Sequence, residues 1–307
     1  MKQTSIFFLI TGLFVLRHTA QAQTCCSGGV PVSNAMGLPV EKFKGVQMNL
    51  SYDYHNLNSL MRENELLEDN TRQRTTSTTL LQVGGFIGKW SVELMLPYIN
   101  QRRKVNGVNG VNEVVSGGIG DAALIAGRGF KSFHFSAGVK APSGSINKLN
   151  NGIRLNADMQ NGSGTWDFLA LGRYSLSHKS TTYYAQGFHI QRTIKRDFEV
   201  GQDYRFGNET QLSAGFVRQF IIKTTLADAG MALRWRKVGA NAINQQVLPG
   251  SGGDWLLWNA NARVWLVPTT TALAVNFDLP LYAQVVGLQN VPTYRFNVSL
   301  FQKFNFN

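Results

Sequence analysis

The chain has 307 residues, 43% hydrophobic and only 16% charged, with 31 glycines, a balance that suits a β-rich protein with many tight turns. Its formal charge is +12. Basic charge often marks nucleic-acid binding, but an export leader, described next, and the absence of any run of five like charges exclude that partner. Anionic lipid or saccharide headgroups, or anionic solutes, are the expected counterparts.

Residues 1–22 read as a signal peptide. Lys2 gives the positive start, residues 5–16 form an apolar core too short to span a membrane, and Ala20-Gln21-Ala22 has the small-x-small form of a cleavage site. Lys2 and Arg17 leave with the leader, so the remaining chain carries +10. No other run approaches eighteen apolar residues, so no membrane helix is expected.

Residues 23–44 read as an N-terminal tail holding the two cysteines, Cys25 and Cys26. A disulfide between neighbours would be strained, because their Cα atoms stand about 3.8 Å apart. Four readings stay open. Cys25 could carry a lipid, although Ala22-Gln23-Thr24 is a poor lipobox; the pair could bind a soft metal; it could bond to another chain in an oxidising compartment; or it could make local contacts only.

From residue 45 onward, alternation with a period of two marks strands. The expected strands are 45–54, 74–87, 90–98, 117–128, 133–142, 166–176, 182–191, 209–220, 226–236, 255–266, 270–282 and 294–306. In the third, Trp90, Val92, Leu94, Leu96 and Tyr98 oppose Ser91, Glu93 and Met95. The seventh is ambiguous, because Tyr183 and Tyr184 are adjacent. The last has thirteen residues, with Tyr294, Phe296, Val298, Leu300, Phe304 and Phe306 on one face. An ordinary strand has about five or six, whereas a tilted strand crossing a bilayer needs roughly 9–11.

Connection lengths alternate. Those after strands two, four, six, eight and ten are short; the others run from ten to about twenty residues, among them 101–116 and 143–164. Bacterial outer-membrane barrels have this pattern, with short periplasmic turns and long external loops. The expected fold is all-β: a closed antiparallel transmembrane β-barrel of about twelve strands, filling residues 45–307, with both termini in the periplasm of a Gram-negative bacterium. Trp90, Tyr98, Trp166, Tyr174, Trp235, Trp255, Trp258, Tyr294 and Phe306, near strand ends, read as interfacial girdles. The segment from Tyr294 to Phe306 resembles the C-terminal signal of such barrels, which implies recognition by the barrel-assembly machinery.

Four short segments, Gly118-Ile119-Gly120-Asp121, Val139-Lys140-Ala141-Pro142-Ser143-Gly144, Gln160-Asn161-Gly162-Ser163-Gly164-Thr165-Trp166-Asp167 and Leu279-Pro280-Leu281-Tyr282, give the chain a family likeness. In their order and spacing it resembles the outer-membrane transporters named for the meta-pathway of phenol degradation. The resemblance implies a closed barrel and uptake of small, sometimes aromatic, molecules. It brings no catalytic residues.

Asp121 and Asp167 each open a strand after glycines. They read either as luminal selectors of solute, as charged rings do in pores, or as partners of cations across the sheet that hold the barrel's shape. Lys140, Arg173, Arg234, Arg263 and Arg295 are candidate luminal cations, and Glu93, Asp228 and Asp278 candidate anions. Mixed signs point to ion-pair ladders that narrow the lumen. His178-Lys179-Ser180 offers a base and a nucleophile, but it lies in a short turn with no third partner evident. No histidine pair has zinc spacing. No enzymatic activity, resident metal or cofactor is expected. The expected function is passive admission of small molecules, aromatic or anionic ones among them, across the outer membrane through a narrow polar lumen. The alternative is a non-conducting barrel serving structure or adhesion.

Overall fold

The computed structural model describes residues 44–69, 71–107 and 110–306. The leader and the cysteine-bearing tail, including Cys25 and Cys26, lie outside the described residues.

Twelve long strands follow the alternation of the sequence. They are β1 (Lys44–Asn56), β2 (Arg72–Ile87), β3 (Trp90–Gly107), β4 in two segments (Gly110–Ile119 and Ala123–Phe130), β5 (Phe133–Lys140), β6 (Asp167–His178), β7 (Thr181–Gln191), β8 (Glu209–Ile222), β9 (Thr225–Val238), β10 (Gly253–Val267), β11 (Thr271–Val285) and β12 (Tyr294–Asn305). Each pairs antiparallel with its neighbours in chain order. The sheet closes where β12 runs against β1, from Gly45 opposite Asn305 to Asn56 opposite Tyr294. Closure leaves the barrel wall no free edge strand, the arrangement a bilayer demands of a sheet.

The two faces separate as expected. On β3, Trp90, Val92, Leu94, Leu96 and Tyr98 are exposed outward, while Ser91, Met95, Ile99 and Gln101 are buried inward. On β12, Leu300 and Phe304 point out and Asn297, Phe301 and Lys303 point in. The structure resolves β7: Tyr183 faces outward, whereas Phe188 and Ile190 are buried inward. Exposed aromatic and aliphatic side chains therefore cover the outside, the pattern of a lipid-facing belt.

Three local expectations need correction. Residues 101–116 are not a loop. β3 continues to Gly107 and pairs with Gly110–Ile119, so a ribbon projects beyond the wall; its polar run of Gln101, Arg102, Arg103 and Lys104 hid the strand. β4 is broken between Ile119 and Ala123, where β3 changes partner from one segment to the other. Trp255 is no girdle residue: it points inward with 1% of its surface exposed, packed among Met61, Val238, Leu257, Ala283, Val285 and Val291. On β11 the register slips, Leu256 facing Tyr282 and Leu257 facing Pro280. Proline has no N–H for the ladder, so a bulge falls there, and Leu281 and Tyr282 are both exposed.

At one end of the barrel the connections are two- or three-residue turns, at 88–89, 131–132, 179–180, 223–224 and 268–270. At the other end, long connections build structure of their own. Ser59–Arg62, Glu65–Leu67 and Leu288–Val291 form a three-stranded sheet, and Ile194–Glu199, Gln202–Arg205, Ala242–Ile243 and Gln246–Val247 a four-stranded one. The connection 141–166 carries a 3-10 turn, Ala157–Met159, whose Ala157 packs with Phe198, Tyr204 and Phe206. Burial of these apolar side chains holds the loops together over the barrel mouth.

Candidate functional site

The break in β4 makes the first element of the site. Gly120 approaches β3 so closely that a Cβ on it would stand 2.6 Å from Ile99 Cδ1. The bare backbone of Gly120 leaves the Ile99 and Pro97 side chains undisturbed, and the departure from the ladder turns Asp121 inward. Its carboxylate accepts the Gly144 N–H at 3.0 Å, the Ser163 N–H at 2.8 Å, and the Lys140 ammonium at 2.7 Å. Lys140 also stands 2.8 Å from Asp167. All three charged side chains are at most 1% exposed. Asp167 accepts the Thr165 hydroxyl at 2.9 Å. Gly144 and Gly162 touch backbone to backbone, and a Cβ on Gly144 would stand 2.6 Å from the Gly162 Cα.

From this knot the charges continue around the barrel. Arg192 stands 3.7 Å from Asp167 and 3.8 Å from Glu209, and Arg236 stands 2.7 Å from Glu209. Two residues back on β9, Arg234 donates to Asp278 at 3.0 Å. Asp278 also accepts from Asn259 at 2.7 Å and lies 3.9 Å from Arg295. Arg295 closes on Asp53 at 2.9 Å. Five carboxylates thus alternate or interleave with five cations, from β4 through β12 to β1. Buried pairs of this kind roughly balance desolvation against attraction. Their firmest consequence is geometric, since Lys140, Asp167, Arg192, Glu209, Asp278 and Arg295 are each held between two opposite charges.

β2 and β3 lie outside the charge ladder and meet the connection 141–166 instead. Arg74 donates to the Asp158 carboxylate at 2.6 Å and to its carbonyl at 2.8 Å. Gln101 donates to the Gln160 carbonyl at 3.1 Å, and the Asn161 amide donates to the Ile99 carbonyl at 3.0 Å. Arg74, Ile99 and Gln101 belong to the inward faces of their strands, so this connection folds into the mouth. Beside it opens a cavity of about 690 Å³, lined by Arg72, Arg74, Arg103, Lys104, Asp158 and Glu199 among others. In the connection 57–71, hydrogen bonds from the Thr71 hydroxyl and amide, with Arg72 nearby, hold the Asp69 carboxyl below its usual range.

Deeper in the barrel the wall is of two kinds. Arg173 donates to Ser175 at 3.1 Å and lies 4.9 Å above the Tyr184 ring. Arg263 stands 3.4 Å from Asp228, which also accepts the Trp265 indole N–H at 3.0 Å. Glu93 accepts from Gln82. By contrast, Leu80, Met95, Ala123, Ile125, Leu169, Leu171, Phe188 and Ile190 form an apolar patch on the inward face, each at most 6% exposed.

The structure therefore joins Asp121, Lys140 and Asp167 in one group, Arg234, Asp278 and Arg295 in a second, and Asp228 with Arg263 in a third. Arg173 stands apart from these. His178 and Ser180 are exposed at a short turn. Sequence reasoning missed Arg192, Glu209, Arg236, Asp53, Arg74 and Asp158. A usable signal existed for Arg192 and Glu209, opposite charges at the end of one strand and the start of the next. Among the described residues, no group of three or more His, Cys, Asp or Glu side chains is placed to hold a metal ion.

The chain matches no family model and no curated protein. Solved structures do resemble it. An outer membrane channel from Pseudomonas putida F1 superposes with a TM-score of 0.65 at 14% identity, over 87% of this chain and 99% of that one. This chain has the fold of an outer-membrane β-barrel. The β domain of the Bordetella autotransporter BrkA follows, with a TM-score of 0.49 at 12% identity over 84% of this chain and all of that one. Pseudomonas putida OprB reaches a TM-score of 0.30 at 8% identity over 94% of this chain and 100% of that one.

The four short segments singled out in the sequence can be placed in this fold. Gly118 to Asp121, Val139 to Gly144 and Gln160 to Asp167 converge on the Asp121–Lys140–Asp167 knot, and Leu279 to Tyr282 forms the bulge of β11.

Proposed function

We propose that this protein is an outer-membrane channel that admits small molecules passively, with its long connections outside the cell and its termini in the periplasm. The observation that carries the reading is the inward wall. A balanced ring of buried charges stands beside a polar vestibule of about 690 Å³, and the fold is shared with a bacterial outer membrane channel. Twelve strands lie between eight, whose interior side chains about fill, and the sixteen to eighteen of wide porins. The lumen is accordingly slim, and the connection 141–166 narrows its mouth. Solutes meet Arg103 and Lys104 at the vestibule, which favours neutral and anionic molecules, aromatic ones among them. On this reading the chain belongs with the meta-pathway transporters that its motifs resemble, and β12 carries the signal read by the barrel-assembly machinery.

The test is solute entry into liposomes holding the purified barrel. Deleting residues 149–158 removes the hairpin over the mouth and the Asp158 anchor to Arg74 but spares the stretch from Gln160 to Asp167. The deletion should raise the entry of small neutral and anionic solutes severalfold. A second reading, a non-conducting structural or adhesive barrel, draws on the apolar inward patch around Met95 and Leu169, which offers a solute no polar contact. Absence of permeation by both the intact and the deleted barrel would favour it.

A further inference from the structure

The turn end of the barrel carries charge of one sign. Lys89, Lys131, Lys179 and Lys223 lie in four of the five short turns, with Arg128 and Arg218 on the adjoining strands, and all six are exposed. Among the described residues, none of the six has a carboxylate within ion-pair distance. Glu93 and Asp228, the acids a few residues from two of these turns along β3 and β9, point inward and are engaged by Gln82 and by Arg263 with Trp265.

The backbone makes these lysines harder to explain as turn residues. Lys131, Lys179 and Lys223 have φ values of 52°, 52° and 56°. That left-handed region suits glycine and asparagine and disfavours a long side chain. The turn between β2 and β3 has glycine, Gly88, at φ 62° and keeps its lysine at the next position. Three times, then, the turn carries lysine where a lower-strain residue would serve, and the common property gained is a cation.

The neighbours of the cations say where they stand. Arg128 lies 4.7 Å above the Trp90 ring, Lys131 lies 5.7 Å from the Phe130 ring, and Arg218 lies 5.6 Å from the Phe220 ring. Trp90, Phe130 and Phe220 are exposed on the lipid-facing side. Aromatic rings and long cations together mark the boundary between hydrocarbon and headgroups.

We infer that this rim binds the phosphates of anionic phospholipids, with Lys131, Lys179 and Lys223 as its principal contacts. The inference rests on the membrane orientation proposed above for its assignment to the inner leaflet, whereas the lipid chemistry itself does not depend on channel activity. A basic residue beside an anionic bilayer contributes about fivefold in binding, so losing three should cost roughly a hundredfold.

The test replaces all three with asparagine, which fits the left-handed turn and removes the charge. Purified wild-type and Lys131→Asn/Lys179→Asn/Lys223→Asn barrels are titrated in neutral detergent with phosphatidylglycerol or phosphatidylcholine, following retained lipid by native mass spectrometry and the thermal midpoint. The wild type should retain phosphatidylglycerol in preference to phosphatidylcholine and be stabilised by it; the variant should fold, lose that preference and lose the shift. Equal retention of phosphatidylglycerol by both proteins overturns the inference. So does a wild-type midpoint raised as much by a soluble acidic peptide, which would make the rim a site for acidic macromolecules. Conductance measured on the same preparations separates failure of this inference from failure of the channel reading.

Discussion

The two ends of the barrel use the same residue types to opposite effect. At the loop end, five carboxylates and five cations lie buried or nearly so and are paired among themselves, so their charges cancel. At the turn end, six exposed cations stand without a carboxylate among the described residues. What differs is solvation. A buried ion must find partners inside the protein or be too costly to keep, and such partners fix strand ends and loops. A solvated ion is free to act on what lies outside.

The comparison predicts its strongest contrast at Lys140. This ammonium lies between Asp121 and Asp167 at 2.7 and 2.8 Å, 1% exposed. Lys140→Met keeps most of the volume but leaves two buried carboxylates facing each other. Breaking a buried pair this way costs about 3–5 kcal/mol, to be read from the unfolding midpoint in urea. The double variant Lys140→Met/Asp121→Asn should recover part of the loss, since one of the stranded charges is gone. A midpoint unchanged by Lys140→Met would mean that the loop-end ring is no more structural than the turn-end cations.

Between the two ends lies the outer belt of exposed apolar side chains, where a charge is costly. Val298 on β12 pairs with Tyr52 and Val275, both exposed on the outside. Val298→Arg should cost about 2–4 kcal/mol in a bilayer, as a cation near the midplane of a barrel does. In neutral detergent the same change should cost much less, because a micelle lets the side chain reach water. Measuring both separates a lipid-facing position from a packed one.

Much of this architecture was legible in the sequence. Alternation located every barrel strand, since a wall with lipid outside forces a period of two, and the contrast of short and long connections marked the two ends. What escaped had other physical causes. The ribbon beyond the wall, around Arg102 to Lys104, faces water on both sides, so nothing imposes alternation there. Trp255 has the strand-end position of a girdle aromatic, but the loops over the mouth give an inward tryptophan a core of its own. Asp121, Lys140 and Asp167 each stand out in the sequence, but their convergence depends on the register of β4, β5 and β6 and on the break in β4 between Ile119 and Ala123. Arg192 and Glu209 belong to the series because the ends of β7 and β8 lie beside Asp167, a neighbourhood that no local sequence pattern encodes.

The smallest expected effect sits at the turn between β6 and β7 and completes the contrast with Lys140. Lys179 is exposed, has φ 52°, and makes no ion pair among the described residues. Lys179→Asn therefore removes no native contact of consequence. It relieves a conformation that a lysine adopts reluctantly and asparagine adopts readily. In neutral detergent the unfolding midpoint should stay where it is or rise slightly, although a lysine has been lost just as at Lys140. Lys179→Gly should do at least as well for strain, but glycine widens the unfolded ensemble and gives part of that gain back. Asparagine should thus match or exceed glycine. A clear drop in the midpoint for both variants would assign Lys179 a structural contact, and the turn-end cations would then resemble the loop-end ring rather than oppose it.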